Sequence, residues 1–549
     1  MGALKSLKVY SSDVRQWLPS GFLEAETYDW FVNEFGIDEM VVVSWPGCTL
    51  DDLRVTALRE ALEEQVFELP PGENVPLDSA APKEIPIFSR VTSGPDMLAD
   101  VMSTGVNRST AMARIRGLMV GLDGKTTCVV AYPSAEMVTF RPEIMKRVYS
   151  VAETELGIAV EDMKCGGPVV DAVAINTESK RALGQFVWMS VLVVFLLTWV
   201  RMRDLPLTLI VIVFSVICAM IALAILYFCG GKMNLTMIML PTLVFILGVS
   251  GCVHMVNYYR KASTLGYGIH SADQAVRDGW YPITLSACTT AVGLASLSVS
   301  RVAPIRAFGL YSAMGVLASL VIVLVIMPAT LYLLKGRISQ WFSSTGKMDK
   351  RERTTGVSRS TSILINWVCR EHALVVVPVL IGVSLLSVGV LNIRASVKIQ
   401  NRFAQRAKIL QDYGWLEANL GPLVPMEVVL NFTDENKLSP WKKMMMVKSV
   451  ERTIRQSTAV NATLSVATFE PYMPSGSRFV DKLERRTRLD RWENGFTAFE
   501  EANLVSTRGD SSSWRISLRV AALNDIDYGG FLETVNQNVR NQLEYLNQP

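Results

Sequence analysis

Three observations predict an α-helical polytopic membrane bundle of six spans carrying two α/β lobes. Half of the 549 residues are hydrophobic and the mean hydropathy is +0.27, high for a soluble chain. The apolar residues are gathered into blocks of about one bilayer thickness, for which roughly 20 residues suffice. The stretches before residue 181 and after residue 391 instead alternate strand-like and amphipathic helical runs, the pattern of small α/β sandwiches.

Residues 1–180 read as the first lobe. EMVVVSW (39–45), PIFSRV (86–91) and TTCVVAY (126–132) are strand candidates. TLDDLRVTALREALEEQ (49–65) is an amphipathic helix with Thr49 or Asp51 as its cap. RPEIMKRVYSVAETEL (141–156) is a second helix, and CGGPVVDAVAINTESKRAL (165–183) leads into the membrane.

Five spans then form a block over 181–335: 183–200, 205–229, 234–261, 281–300 and 307–334. A basic, Ser/Thr-rich linker (336–372) precedes the sixth, 373–391. It reads either as a plain solvated loop or as a segment lying on anionic lipid. Arg201 and Arg203 follow the first span, Arg260, Lys261 and Arg277 the third, and eight further Lys and Arg residues the fifth. Basic connectors belong on the cytoplasmic side, so both lobes are expected outside the cytoplasm.

The third span, NLTMIMLPTLVFILGVSGCVHMVNYYRK, carries a polar stripe. Ser250, His254 and Asn257 lie at i, i+4, i+7 on one helix face, with Gly248 and Gly251 beside them to admit a neighbouring helix. Ser286, Thr289, Thr290 and Gly293 form a similar face on the fourth span, and Gly309 and Gly315 are packing positions on the fifth. Polar groups in a span are costly without partners, so the stripe is a candidate site for coupling or substrate. Two blander readings stay open: the side chains only glue helices, or the hydroxyls bond back to their own helix carbonyls.

The net charge of +3 gives no reason to expect a nucleic-acid partner. The eight cysteines contain no C-x-x-C pair and the three histidines are scattered, so neither a metal nor a disulfide scaffold is expected. With no nucleophile–base pair and no P-loop, the chain reads as a non-enzyme without a cofactor. MGALKS fits the loose myristoylation pattern, a match too short to carry weight, and residues 1–30 hold no secretory signal.

Residues 392–549 read as a repeat of the first lobe. Tyr28, Trp30, Phe35 and Gly36 precede MVVV (40–43) as Tyr413, Trp415, Leu420 and Gly421 precede MEVVL (426–430). SLKV (6–9) answers SVKI (396–399), and late in each lobe a strand (126–132; 514–520) precedes a helix (141–156; 531–546). Duplicated lobes flanking spans mark a transporter built from parallel repeats.

Here the residues match a family. GVSGCVHMVNYYR (248–260), AVRDGWYPITLSACTTAVGLASLSVS (275–300), APIRAFGLYSAMG (303–315), MPATLYLL (327–334) and GGPVVDAVAIN (166–176) resemble the RND superfamily, in the MMPL-like branch related to hopanoid transporters and Patched. The resemblance implies a sterol-sensing-type block of five helices and two extracytoplasmic porter lobes of ferredoxin-like fold. It implies an inner-membrane protein exporting lipids or other hydrophobic molecules, driven by proton flow. Two alternatives are a non-transporting lipid- or sterol-sensing regulator and a translocation accessory of the SecD/SecF kind. The family's mid-membrane acid aligns with Ser250, and serine does not titrate in the physiological range. His254 could titrate, but desolvation would hold it neutral without a partner. The chain begins after the family's first span and stops before its eighth. A truncated or split coding sequence is therefore expected, with a companion chain or homo-oligomer supplying the other spans.

Overall fold

A computed structural model describes residues 21–36, 39–68, 84–333 except 232 and 235, 366–389, 403–433, 438–456, 460–508, 511–523 and 528–546. The pair 6–9 and 396–399, most of the linker and the ends of the fifth and sixth expected spans lie outside these residues. The chain divides into two compact units. One contains both lobes (Gly21–Glu178 with Lys398–Pro549); the other contains the bundle (Ser179–Val397).

The first lobe opens with α1 (Leu23–Phe35), β1 (Val41–Ser44) and α2 (Leu53–Glu63). The cap of α2 is Asp52, not Thr49 or Asp51: its carboxylate accepts the Arg54 N–H and also holds the Trp45 indole N–H at 3.2 Å. β2 (Val66–Glu68) and β3 (Glu84–Pro86) form a side hairpin, followed by β4 (Phe88–Ser93). α3 (Gly94–Ser103) starts at a Ser93/Asp96 capping box, and α4 (Arg108–Ile115) at Asn107. β5 (Val129–Pro133), α5 (Arg141–Leu156) and β6 (Lys164–Gly166) complete an antiparallel sheet in the order β4-β5-β1-β6. Strand alternation sends Val41, Val43 and Val129 into a core with α2 and α5, and Met40, Val42 and Val130 into a second core on the other face.

The bundle begins with α6 (Pro168–Met202), which starts well before the expected span at 183. Residues such as Asn176, Glu178 and Lys180 lower hydropathy without breaking a helix. Asp204 caps α7 (Leu205–Phe228), and α8 (Met239–Thr264) follows. α9 (Ser271–Ala295) contains Pro282 and ends in a 3-10 turn, Ser296–Val299. α10 (Ala303–Val321) passes through a π-helical turn, Ile322–Ile326, into α11 (Met327–Leu333). Among the described residues five helices are long and apolar enough to cross a membrane. The sixth expected span appears as α12 (His372–Val388), a shorter apolar helix of 17 residues, at the lower end of the spanning range of about 17–25.

In the second lobe α13 (Lys408–Asn419) precedes β7 (Val424–Phe432), α14 (Pro440–Ile454) and β8 (Val460–Leu464). α15 (Phe479–Asn494), α16 (Thr497–Glu501), β9 (Val505–Arg508), β10 (Ser511–Val520) and α17 (Tyr528–Leu546) follow. The sheet runs β7-β10-β8, with β9 also on β10.

Each lobe's leading helix serves the other lobe. Ile409, Tyr413 and Leu416 of α13 are buried in the first lobe's second core with Val42 and Val130. In exchange, Glu34 of α1 pairs with Arg508 at 3.1 Å, and Arg515 of β10 stacks over Phe31 at 5.3 Å. Gly421, at φ 133°, adopts a conformation that favours glycine, and a Cβ there would sit 3.1 Å from the Gly117 carbonyl oxygen.

Candidate functional site

The third, fourth and fifth spans border an open cavity of about 150 Å³ between α8, α9 and α10 with its π turn. Its walls are apolar, with Leu247, Ile283, Ala287, Val316, Leu320 and Val323 prominent. Ser250, His254, Ser286 and Thr290 line it together, so residues of both polar faces meet in one cavity. Asn257 and Thr289 do not line it and are exposed. No hydrogen bond joins the two faces among the described residues. Thr290 Oγ1 donates to the Ser286 carbonyl at 2.8 Å, and Thr289 Oγ1 to the Leu285 carbonyl at 2.9 Å. The expected cross-helix pairing is replaced here by bonds to the nearest carbonyl, one turn back on the same helix.

Close helix approach comes from some of the glycines. A Cβ on Gly315 would sit 2.9 Å from Ala222 Cβ and 3.0 Å from Val244 Cγ2; one on Gly309 would sit 2.6 Å from the Leu294 carbonyl oxygen. A Cβ on Gly248 would sit 3.3 Å from Cys218 Cβ, and one on Gly251 3.4 Å from Val323 Cγ2. Gly293 departs from the expectation, with nothing within 4 Å of its would-be Cβ. It sits near the C-terminal end of α9 and is exposed.

Tyr258, which the sequence reads as part of an aromatic and basic anchor at the membrane border, lines the cavity too, as do Pro282 and Ser319, which sequence reading passed over. Tyr258 had a signal in Gly279, whose missing side chain admits the ring: a Cβ there would lie 2.8 Å from Tyr258 Cδ2. Pro282 had one too, because proline inside a helix leaves a carbonyl one turn earlier without its N–H. The arrangement suits a small polar group held in apolar surroundings. Hydroxyls and one imidazole stand ready to hydrogen-bond it, and no carboxylate lines the cavity among the described residues.

A second polar constellation lies in the lobes, where α6 begins. Tyr413 is only 2% exposed, and its hydroxyl accepts the Gly167 N–H at 3.0 Å and donates to Asp171 Oδ1 at 2.7 Å. Burial, reinforced by the Asp171 carboxylate, holds the Tyr413 phenol well above its ordinary range. Beside it Asp412, 3% exposed, lies between Lys408 at 2.7 Å and Lys164 at 3.5 Å. Tyr413 and the segment GGPVVDAVAIN were each visible in the sequence as separate motifs, but nothing in it joins residues so far apart.

Three comparisons bear on this geometry. The model of the MMPL family matches residues 88–378, more than half of the chain. No curated protein matches. Among solved structures the chain is similar to the crystal structure of a heavy metal efflux pump, crystal form II, at 14% identity and a TM-score of 0.34. That match covers 58% of this chain and 38% of the pump, so the chain spans well under half of the pump's length. With a family model covering more than half of its residues, and its bundle built from the segments that carry the resemblance, this chain belongs to the MMPL family.

Proposed function

We propose that the chain is an RND/MMPL-type membrane transporter that exports lipids or other hydrophobic molecules. On this reading α12 is a sixth span and the two lobes are ferredoxin-like porter domains on the extracytoplasmic side of an inner membrane. The observation that carries the reading is the cavity between α8, α9 and α10, apolar in its walls and polar at Ser250, His254, Ser286 and Thr290. Two features support the finer parts. The strand order β4-β5-β1-β6, with α2 and α5 as crossovers, is that of a ferredoxin-like sheet, and β7-β10-β8 repeats three strands of it. The basic connectors support the orientation. In liposomes the chain should accelerate movement of a fluorescent lipid analogue between leaflets or to acceptor vesicles. Substrate binding without any movement, under any imposed gradient, would sink the transport reading.

One observation favours a second reading. Ser250 stands at the family's acidic position and no carboxylate lines the cavity among the described residues, so a regulator that binds lipid without transporting it fits the same bundle. Binding without movement is the outcome that separates the two.

A further inference from the structure

A surface helix ordinarily buries its apolar stripe and shows its charges to water. The first two turns of α15 do the reverse. Asp481, Arg485, Arg488 and Trp492 recur at helical spacing and share one face. That face is turned into the lobe. Asp481 and Trp492 are buried, and Trp492 meets Trp441 of α14 edge-on at 5.6 Å. Arg485 donates to the Gly476 carbonyl at 2.6 Å, and Arg488 to the Tyr472 carbonyl at 3.3 Å. The opposite pole carries Phe479, Val480 and Leu483, which are 80%, 67% and 56% exposed. Asp481 fixes this orientation, because its carboxylate accepts the Arg478 N–H at 3.1 Å and caps the helix from inside.

The charges around the apolar tip select its occupant. Arg478, Lys482 and Arg486 are exposed beside it. Lys482 and Arg486 pair with no acid among the described residues, whereas the nearby acids are engaged: Asp481 with Arg478 at 3.2 Å and Glu484 with Arg488 at 2.8 Å. The first acid on the outer pole, Asp490, comes about two turns beyond Leu483. Three apolar side chains are too few for a stable protein interface, which takes about 20 residues a side. A second copy meeting this pole face to face would set the same cations against one another. Anionic lipid supplies both complements at once, phosphates for the cations and an acyl boundary for the apolar tip.

We propose that the outer pole of α15 is a docking surface for an anionic lipid bilayer. Phe479, Val480 and Leu483 enter the boundary between headgroups and acyl chains, and Arg478, Lys482 and Arg486 hold lipid phosphates. Such docking does not require that the chain move lipid.

The experiment uses the full chain in phosphatidylcholine nanodiscs, with Cys229→Ser and Cys369→Ser at the exposed cysteines and a bimane on Val480→Cys. Phosphatidylglycerol is supplied either in added vesicles, which tests a facing bilayer, or in the disc, which tests the bilayer around the chain's own spans. Bimane emission should shift to the blue in at least one arm, not with phosphatidylcholine alone, and high salt should reverse the shift. Lys482→Glu with Arg486→Glu should raise the phosphatidylglycerol needed by at least about tenfold. Phe479→Ser with Leu483→Ser should abolish the shift. Lys146→Glu, at an exposed cation of the first lobe, should change nothing. All these side chains are exposed, so the unfolding temperature should stay where it is. No shift in either arm would overturn the proposal. So would a shift that soluble glycerol phosphate produces equally, which would leave only an anion site. A shift that follows protein concentration in phosphatidylcholine would also overturn it, by assigning the pole to a second copy.

Discussion

Replacing Tyr413 with phenylalanine removes one oxygen and leaves the ring in place. The hydroxyl accepts the Gly167 N–H and donates to Asp171, in a site where Tyr413 is 2% exposed. Losing a hydrogen bond to a charged group costs about 1.5–3 kcal/mol, and a buried N–H left without an acceptor costs about 1–3 kcal/mol. These overlap, because the site relaxes, so about 2–4 kcal/mol is the working figure. At 1.4 kcal/mol per tenfold this corresponds to roughly 30- to 1,000-fold faster amide exchange at Gly167–Asp171, provided the segment opens locally. The effect carries a pH signature. The phenol is held above its ordinary value, so its contribution is complete below pH about 10 and is lost as pH rises through the folded-state value, since only the unfolded chain ionises in between. Tyr413→Phe should lack this alkaline loss. Hydrogen exchange by mass spectrometry on the full chain reads both. A change below about threefold at Gly167–Asp171, or an alkaline loss that persists in the variant, would refute the argument.

Three further outcomes are expected. Gly315→Val should lower the unfolding temperature in detergent, because it drives methyls into Ala222 and Val244 at an overpacking cost of about 1–3 kcal/mol, whereas Gly293→Ala should stay within about 0.5 kcal/mol of the parent. Glu451→Ala should destabilise the second lobe by about 2–4 kcal/mol in denaturant unfolding, since its buried carboxylate accepts from Ser465 at 2.7 Å, Arg455 at 2.9 Å and the Thr463 hydroxyl. In liposomes with an imposed pH gradient, Ser250→Asp should confer or raise gradient-dependent movement of a lipid analogue. Parent transport that follows the gradient and vanishes only in His254→Ala would instead make the imidazole the carrier.

What the sequence made legible depended on the range of the interaction. β1, α2 and α5 were readable because alternation and helical periodicity are local, and Asp52 was missed as a cap by a single residue. α3 and α4 went unread although Ser93, Pro95 and Asp96 form a proper start signal, since no long apolar stripe follows to draw attention to it. The membrane blocks were found by hydropathy, but hydropathy cannot locate the start of α6 at Pro168, where the helix is polar and its first turn meets Tyr413 from the other lobe. The polar stripe was visible as spacing. Its division into residues that line the cavity and residues that do not depends on the rotation of α8 against α9, which spacing alone leaves open. The exchange of α1 and α13 between lobes was invisible, because each helix reads as amphipathic whichever sheet it covers.

The π turn at Ile322–Ile326 stores one extra residue in the fifth span. Val323, inside that turn, is both a wall of the cavity and the side chain facing Gly251. If the turn tightened to ordinary α-helical bonding, the slack would have to be taken up in register: everything beyond it, Met327–Leu333 included, would swing by about 100° about the helix axis and slide by about 1.5 Å. Because Val323 lies in the turn that holds the extra residue, the cavity wall and the register of the end of the span are properties of the same five residues.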